Sequence, residues 1–71
     1  MSAPALRRGS EFLHAHWFNP DTGKPLRCRV TQIRDGGVYW REIEADGTTS
    51  RAPAYFFTFE QAERYVREVL A

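Results

Sequence analysis

Hydrophobic and polar residues alternate along the middle of the chain, between turn signals spaced as in small all-β folds. The turn signals are Asn19–Gly23, Asp35–Gly37 and Asp46–Gly47. Each combines residues that favour chain reversal with a glycine that is free to adopt positive φ. Three turns separate four strands, which we predict at Phe12–Phe18, Leu26–Arg34, Val38–Glu44 and Thr49–Phe57.

The second predicted strand shows the clearest alternation. Leu26, Cys28 and Val30 occupy every other position, and Arg27 and Arg29 fill the positions between them. Because successive side chains of a strand point to opposite faces, this pattern predicts one buried face and one face in water.

Two isoleucines break this alternation. Ile33 and Ile43 fall on the wrong parity for their strands, so we expect bulges or strong bends near Gln32 and Arg41. Such bends curl a short meander toward a barrel. Pro53 has no backbone N–H, which predicts that the fourth strand lies at an edge or is interrupted there.

From Thr58 onward the hydrophobic period changes from two to 3.6, which predicts an amphipathic helix over Phe59–Leu70. Thr58 and Gln61 have the spacing of a capping box. We expect this helix to pack on the sheet. The predicted fold class is therefore mainly β with one helix: a four-stranded antiparallel meander, curled toward a barrel and packed against a C-terminal helix.

Length and composition indicate one small domain. With 71 residues, the chain is too short for a second core, and we predict a disordered tail over residues 1–10 and one domain over residues 11–71. Cys28 is the only cysteine, so an intrachain disulfide is excluded. No apolar stretch approaches the length of a membrane span or a signal peptide. These features favour a cytoplasmic location without membrane association.

The net charge of +1 hides a local excess of positive charge. Between Asn19 and Arg34 only one carboxylate, Asp21, stands against several cations. Clustered cations of this kind favour recognition of phosphate or carboxylate groups, and arginine does so with a planar, bidentate fork. The cations are Lys24, Arg27, Arg29 and Arg34.

Residues capable of chemistry are few and lack a catalytic pattern. His14, His16 and Cys28 are candidate metal ligands or a candidate nucleophile and base, but structural zinc requires four such ligands. Cys28 also falls on the predicted buried face, where a thiol is inert. We therefore predict no metal, no cofactor and no enzymatic activity, and interpret Cys28 as a small core residue.

Aromatic residues make up 14% of the chain, more than a small core requires. Several occur as adjacent pairs on predicted strands, and only one member of each pair can face the core. The other member is then free to join an exposed row beside the arginines, a combination typical of sequence-tolerant nucleic-acid grooves. The predicted binding residues are Arg27, Arg29, Arg34, Trp40, Tyr39 and Trp17.

The run from Pro25 to Arg41 joins a basic alternating strand, an Asp-Gly turn and an aromatic strand. It resembles the central hairpin of small SH3-like barrels, the class that includes Tudor-type and KOW-type modules. This resemblance implies a binding module whose aromatic and charged residues contact nucleic acid or peptides. The Thr-capped helix after the strands is similar to a second group, the arm-binding domains of phage-type integrases, in which the sheet reads DNA.

Two functions follow as hypotheses. The first is a non-catalytic module that binds nucleic acid through a basic and aromatic sheet face. The alternative is a protein interaction adaptor that uses the same aromatic surface to dock a partner or a second copy of itself. Exposed apolar side chains commonly mark interfaces, so we also expect a homodimer.

Overall fold

The computed structural model describes residues 5–70, and these residues are mainly β with one helix, as predicted. In chain order the strands are β1 (Glu11–Phe18), β2 (Pro25–Arg34), β3 (Gly37–Glu42), β4 (Tyr55–Thr58) and β5 (Val66–Leu70). Helix α1 (Phe59–Tyr65) lies between β4 and β5.

The five strands form one antiparallel sheet in the order β4-β3-β2-β1-β5. Strands β1 to β4 make the predicted meander. The prediction of four strands was wrong, because a fifth strand pairs with the free side of β1. The sheet is not closed into a barrel, because β4 and β5 occupy opposite edges.

Helix α1 begins where the sequence predicts it. The Thr58 side chain accepts a hydrogen bond from the Gln61 N–H, and the Gln61 side chain accepts one from the Thr58 N–H, both at 3.0 Å. The helix ends at Tyr65, however, and not at Leu70. The cause is the pairing of Val66–Leu70 with β1, which supplies a hydrogen-bonded partner that the sequence pattern did not reveal.

Helix α1 packs on one side of the sheet, which we call the core face. Ala62 is its buried residue, and it belongs to the same buried cluster as side chains from β1 to β4. Because β4 and β5 lie at opposite edges, α1 carries the chain across this face from one edge to the other. The buried apolar cluster on the core face consists of Phe12, Cys28, Val30, Val38, Trp40, Phe57 and Ala62.

A bulge in β2 confirms the break in alternation predicted near Gln32. Val30 pairs with Trp40 and Gln32 pairs with Tyr39, so Thr31 is an extra residue without a partner on β3. Because of the bulge, the odd-numbered residues of β2 beyond Thr31 face the side that its even-numbered residues face before Thr31. No bulge occurs near Arg41, where the β2–β3 pairing is regular.

A larger irregularity interrupts β1. Leu13 pairs with Arg27 and Phe18 pairs with Pro25, so β1 takes more residues than β2 to cover the same span. The His14 side chain stabilises this irregular segment, because its Nδ1 accepts hydrogen bonds from the N–H groups of His16 and Trp17, both at 3.0 Å. His14 itself is buried, with 3% of its surface exposed.

This arrangement predicts that the domain loses stability as the pH falls below 6.5. Burial, and then the charge of neighbouring His16, lower the pKa of His14 from its ordinary value of 6.5. The unfolded chain therefore takes up the proton first, so the stabilisation is complete above pH 6.5 and is lost as the pH falls toward the lower folded-state pKa. Urea unfolding at about pH 7.5 and about pH 5.5 measures the loss.

His14→Asn is the matched control, because the amide oxygen takes the acceptor position of Nδ1 but does not titrate. We expect this variant to lose the dependence on pH in that interval. The same dependence in the variant and the wild type would contradict the assignment to His14.

The segment before β1 is also joined to the sheet. Val30 O accepts from the Gly9 N–H and the Val30 N–H donates to Ser10 O, both at 2.8 Å, and Leu6 packs against the core. The sheet contacts thus begin before residue 11, where the domain was predicted to start. The first four residues of the predicted tail lie outside the described residues. Within residues 5–70, no helix has the length and hydrophobicity needed to cross a membrane.

Candidate functional site

The strand register places four arginines of β2 and β3 on the sheet face opposite α1. Glu11 pairs with Arg29, and Arg29 pairs with Arg41, so these three side chains form one row across β1, β2 and β3. Cross-strand partners lie on the same face, and the core residues occupy the alternate positions. We call this surface the arginine face; its residues are Arg27, Arg29, Arg34, Arg41, Tyr39 and Phe56.

Glu11 holds two of these arginines. Its Oε1 is 2.6 Å from Arg27 Nη2, and its Oε2 is 3.1 Å from Arg29 Nη2. The hydrogen bonds from Arg29 and Arg27 lower the pKa of the Glu11 carboxyl, so it is ionised at neutral pH. Glu11 therefore orients both guanidinium groups and neutralises part of their charge.

Arg29 and Arg41 are direct neighbours on the two central strands. Like charges at such positions repel each other. Neutral oxygens of the connection between β3 and β4 relieve this in part: Arg29 Nη1 donates to Thr49 Oγ1 at 2.8 Å and Arg41 Nη1 donates to Ser50 O at 3.4 Å. The pair retains an excess of positive charge that an anion can neutralise.

The bulge at Thr31 brings Arg34 to the arginine face. Gln32 pairs with Tyr39, and Arg34 follows two residues later on the same side. Its guanidinium is 2.8 Å from the Gln32 side-chain amide when the amide oxygen is placed to accept. Within residues 5–70, neither Arg34 nor Arg41 forms an ion pair with a carboxylate.

Two aromatic rings complete the arginine face. Tyr39 and Phe56 are cross-strand partners, with ring centroids 4.9 Å apart and planes inclined at 55°. Phe56 is 40% exposed and Tyr39 is half-buried. Exposed rings beside guanidinium groups can stack with flat ligands while the cations bind phosphate.

Trp40 was predicted to face outward, and this was wrong. It pairs with Val30 and Tyr55 on the core face and is fully buried. The sequence contained a signal for this, because Trp40 shares its strand parity with Val38, a purely apolar residue. Its neighbour Tyr39 therefore takes the outward position.

Trp17 is exposed, as predicted, but it does not lie with the arginines. Its ring stacks on His14 at 4.5 Å and contacts Trp40 at 5.6 Å, which places it at the rim of the core face. The six predicted site residues are thus divided. Arg27, Arg29, Arg34 and Tyr39 come together on the arginine face, whereas Trp40 and Trp17 lie on the other side.

Two residues of the arginine face were missed from the sequence. Arg41 was taken as the site of a bend, and Phe56 was one of an adjacent pair whose outward member the pattern did not decide. Arg41 is next to Trp40 on β3, and Phe56 is next to Phe57 on β4. Because neighbouring residues of a strand face opposite sides, both would have been placed on the outer face once Trp40 was known to face the core.

Cys28 is a buried core residue, as predicted. Burial, and then the nearby Glu42 charge, raise the pKa of its thiol to about 12, so it stays protonated and unreactive at neutral pH. In the part of the chain that the structure describes, no three His, Cys, Asp or Glu side chains are placed to hold a metal ion.

Comparison with protein-family models, with curated proteins and with solved structures found no match for this chain.

Proposed function

We propose that the domain binds single-stranded nucleic acid through the arginine face. The observation that supports this most directly is the cross-strand pair of Arg29 and Arg41 beside the ring pair of Tyr39 and Phe56. A phosphate between the two guanidinium groups would relieve their repulsion and accept bidentate hydrogen bonds from them.

A single strand fits this face better than a duplex. The aromatic rings can stack only with bases that are free of a helix, whereas duplex binding depends on neutralising many phosphates. The arginine face offers four guanidinium groups, and Glu11 neutralises part of that charge. We therefore expect weak, salt-dependent binding with little preference for sequence.

The proposal describes a binding module and not an enzyme. The carboxylate of Glu11 is held by Arg27 and Arg29, and the thiol of Cys28 is buried on the other side of the sheet, so neither is free to act as an acid or base on a bound ligand. Binding and catalysis differ in this respect, because general acid–base catalysis requires titratable groups that contact the substrate.

Replacing Glu11 with Gln is expected to strengthen nucleic-acid binding. The variant removes the carboxylate that neutralises Arg27 and Arg29, and it leaves both guanidinium groups on the same face. We expect the dissociation constant for a fluorescent oligothymidylate to fall about fivefold at physiological salt, equivalent to about 1 kcal/mol. Fluorescence anisotropy measures the change.

Glu60→Gln is the matched control, because it removes one carboxylate from α1 on the other side of the sheet. It should change the affinity little. Equal strengthening by both variants would mean that only the net charge matters. No strengthening by Glu11→Gln would mean that Arg27 and Arg29 do not contact the strand.

A protein interaction adaptor is the second candidate, and the exposed rings outside the arginine face favour it. Trp17, Phe18 and Tyr55 are each more than 40% exposed. A second copy of the chain is one partner of this type. Addition of a strand beside β4 is disfavoured, however, because the Thr58 N–H is already bonded to Gln61 and Pro53 has no N–H.

A further inference from the structure

A cleft on the helix side of the sheet, separate from the arginine face, is lined by His14, a buried residue with one ring nitrogen that has no hydrogen-bond partner among the described residues. The cleft has a volume of about 290 Å³ and is lined by aromatic and imidazole rings. Its walls are formed by His14, His16, Trp17, Phe57 and Tyr65. We call it the His14 cleft.

The hydrogen bonds of His14 determine its tautomer. Nδ1 accepts from two backbone N–H groups, those of His16 and Trp17, so it cannot carry a proton itself. The neutral ring therefore has its hydrogen on Nε2. Protonation of the ring would break both backbone hydrogen bonds, and burial also favours the neutral form.

Nε2 of His14 makes no hydrogen bond to any of the described residues. Within residues 5–70, the only polar side-chain atom that is both fully buried and unpartnered is Trp40 Nε1. Nε2 is not such an atom, although His14 is only 3% exposed. His14 lines the His14 cleft, which is therefore the place where its N–H group can meet a ligand.

The surrounding rings favour a flat ligand. The planes of His14 and Trp17 are nearly parallel, at 3°, and those of His14 and Tyr65 are inclined at only 16°. The described residues that line the cleft include no carboxylate and no guanidinium group. Trp17 already stacks on His14 at 4.5 Å, so a small aromatic molecule fits beside these stacked rings and not between them. It needs one acceptor on its edge to satisfy the Nε2–H.

We propose that the His14 cleft binds a small, neutral, planar heteroaromatic molecule whose edge acceptor receives a hydrogen bond from His14 Nε2–H. The acceptor is a ring nitrogen or a ring carbonyl. This site is independent of the arginine face, because the two lie on opposite sides of the sheet. Its ligand can be bound whether or not the domain binds nucleic acid.

Quinoline and naphthalene are suitable probes, because they have the same shape and differ in a single ring nitrogen. We expect the full chain to bind quinoline about fivefold more tightly than naphthalene, the difference that one added hydrogen bond provides. Two-dimensional NMR titration measures both affinities. Quinoline should also shift the His14 Nε2–H resonance and the Trp17 indole resonance.

His14→Asn tests the role of Nε2. Its amide oxygen can accept the His16 and Trp17 N–H groups, but the variant lacks the Nε2–H donor. We expect it to bind the two probes with equal affinity and to melt cooperatively. As a control, Arg29→Gln should leave the preference for quinoline unchanged.

Equal binding of quinoline and naphthalene by the wild type would overturn the proposal. So would quinoline-induced shifts confined to residues outside the cleft. If His14→Asn does not fold, the wild-type titration still decides the question, because a preference for quinoline without a shift of the Nε2–H resonance contradicts the proposed contact.

Discussion

Replacing Trp40 with Ala is expected to unfold the domain or bring it close to unfolding. Trp40 is fully buried, and its ring centroid is within 5.6 Å of those of Phe12 and Phe57. Truncation removes this contact area and leaves a cavity, which costs about 3–5 kcal/mol. That is a large part of the stability of so small a domain. Urea unfolding followed by far-ultraviolet circular dichroism measures it.

Tyr55→Ala is the control for this variant. Tyr55 stacks on Trp40 at 4.8 Å but is 49% exposed, so its truncation leaves no closed cavity. We expect a clearly smaller loss of stability. If the two variants lost equal stability, the assignment of Trp40 to the centre of the core would be wrong.

Gly37→Ala is expected to cost about 3 kcal/mol, although it adds only one methyl group. Gly37 is buried at the start of β3, and an added Cβ would collide with the backbone oxygen of Phe57 and lie 2.6 Å from Phe56 Cζ. The backbone of β4 is held by pairing with β3 and by the start of α1, so it cannot move away cheaply.

Gly47→Ala separates this steric effect from the conformational cost of replacing a glycine. Gly47 has a φ of +88° and open space around its Cα, so alanine meets strain but no collision. We expect a cost of about 1 kcal/mol. A loss at Gly37 no greater than that at Gly47 would contradict the close approach of β3 and β4.

The strands and the start of the helix were predictable because their signals are local. The alternation around Cys28 and the spacing of Thr58 and Gln61 depend on neighbouring residues, and the structure confirms both. The bulge at Thr31 was predictable for the same reason, since Ile33 falls on the wrong parity.

The fifth strand was not predictable from such signals. Val66–Leu70 continues a 3.6-residue period, and only its pairing with β1 makes it a strand. This contact joins residues from opposite ends of the chain, so no local pattern records it. The same holds for the irregular segment of β1. There the His14 ring, and not a neighbouring strand, accepts the hydrogen bonds of two backbone N–H groups.

The candidate site was predictable in its charge and only in part in its aromatic residues. The cations on β2 could be placed on one face from alternation alone. The choice of Trp40 over Tyr39 was wrong, although the strand parity that Trp40 shares with the apolar Val38 favoured Tyr39 as the outward residue. The pairing of Glu11 with Arg27 and Arg29 was also hidden, because it depends on the register between β1 and β2.

The salt dependence of single-strand binding tests the proposed function most directly. The measurement compares the affinity of the wild type and of the double variant Arg29→Gln/Arg41→Gln for oligothymidylate over a range of salt concentrations. Arg64→Gln, which removes a cation from α1, is the control.

We expect the logarithm of the wild-type affinity to fall linearly with the logarithm of the salt concentration. In the double variant the slope should be shallower by about 0.7, since the one phosphate that Arg29 and Arg41 share is no longer neutralised, and the Arg64 control should retain the wild-type slope. The absence of any salt-dependent binding by the wild type would contradict the nucleic-acid proposal and leave the adaptor as the better account.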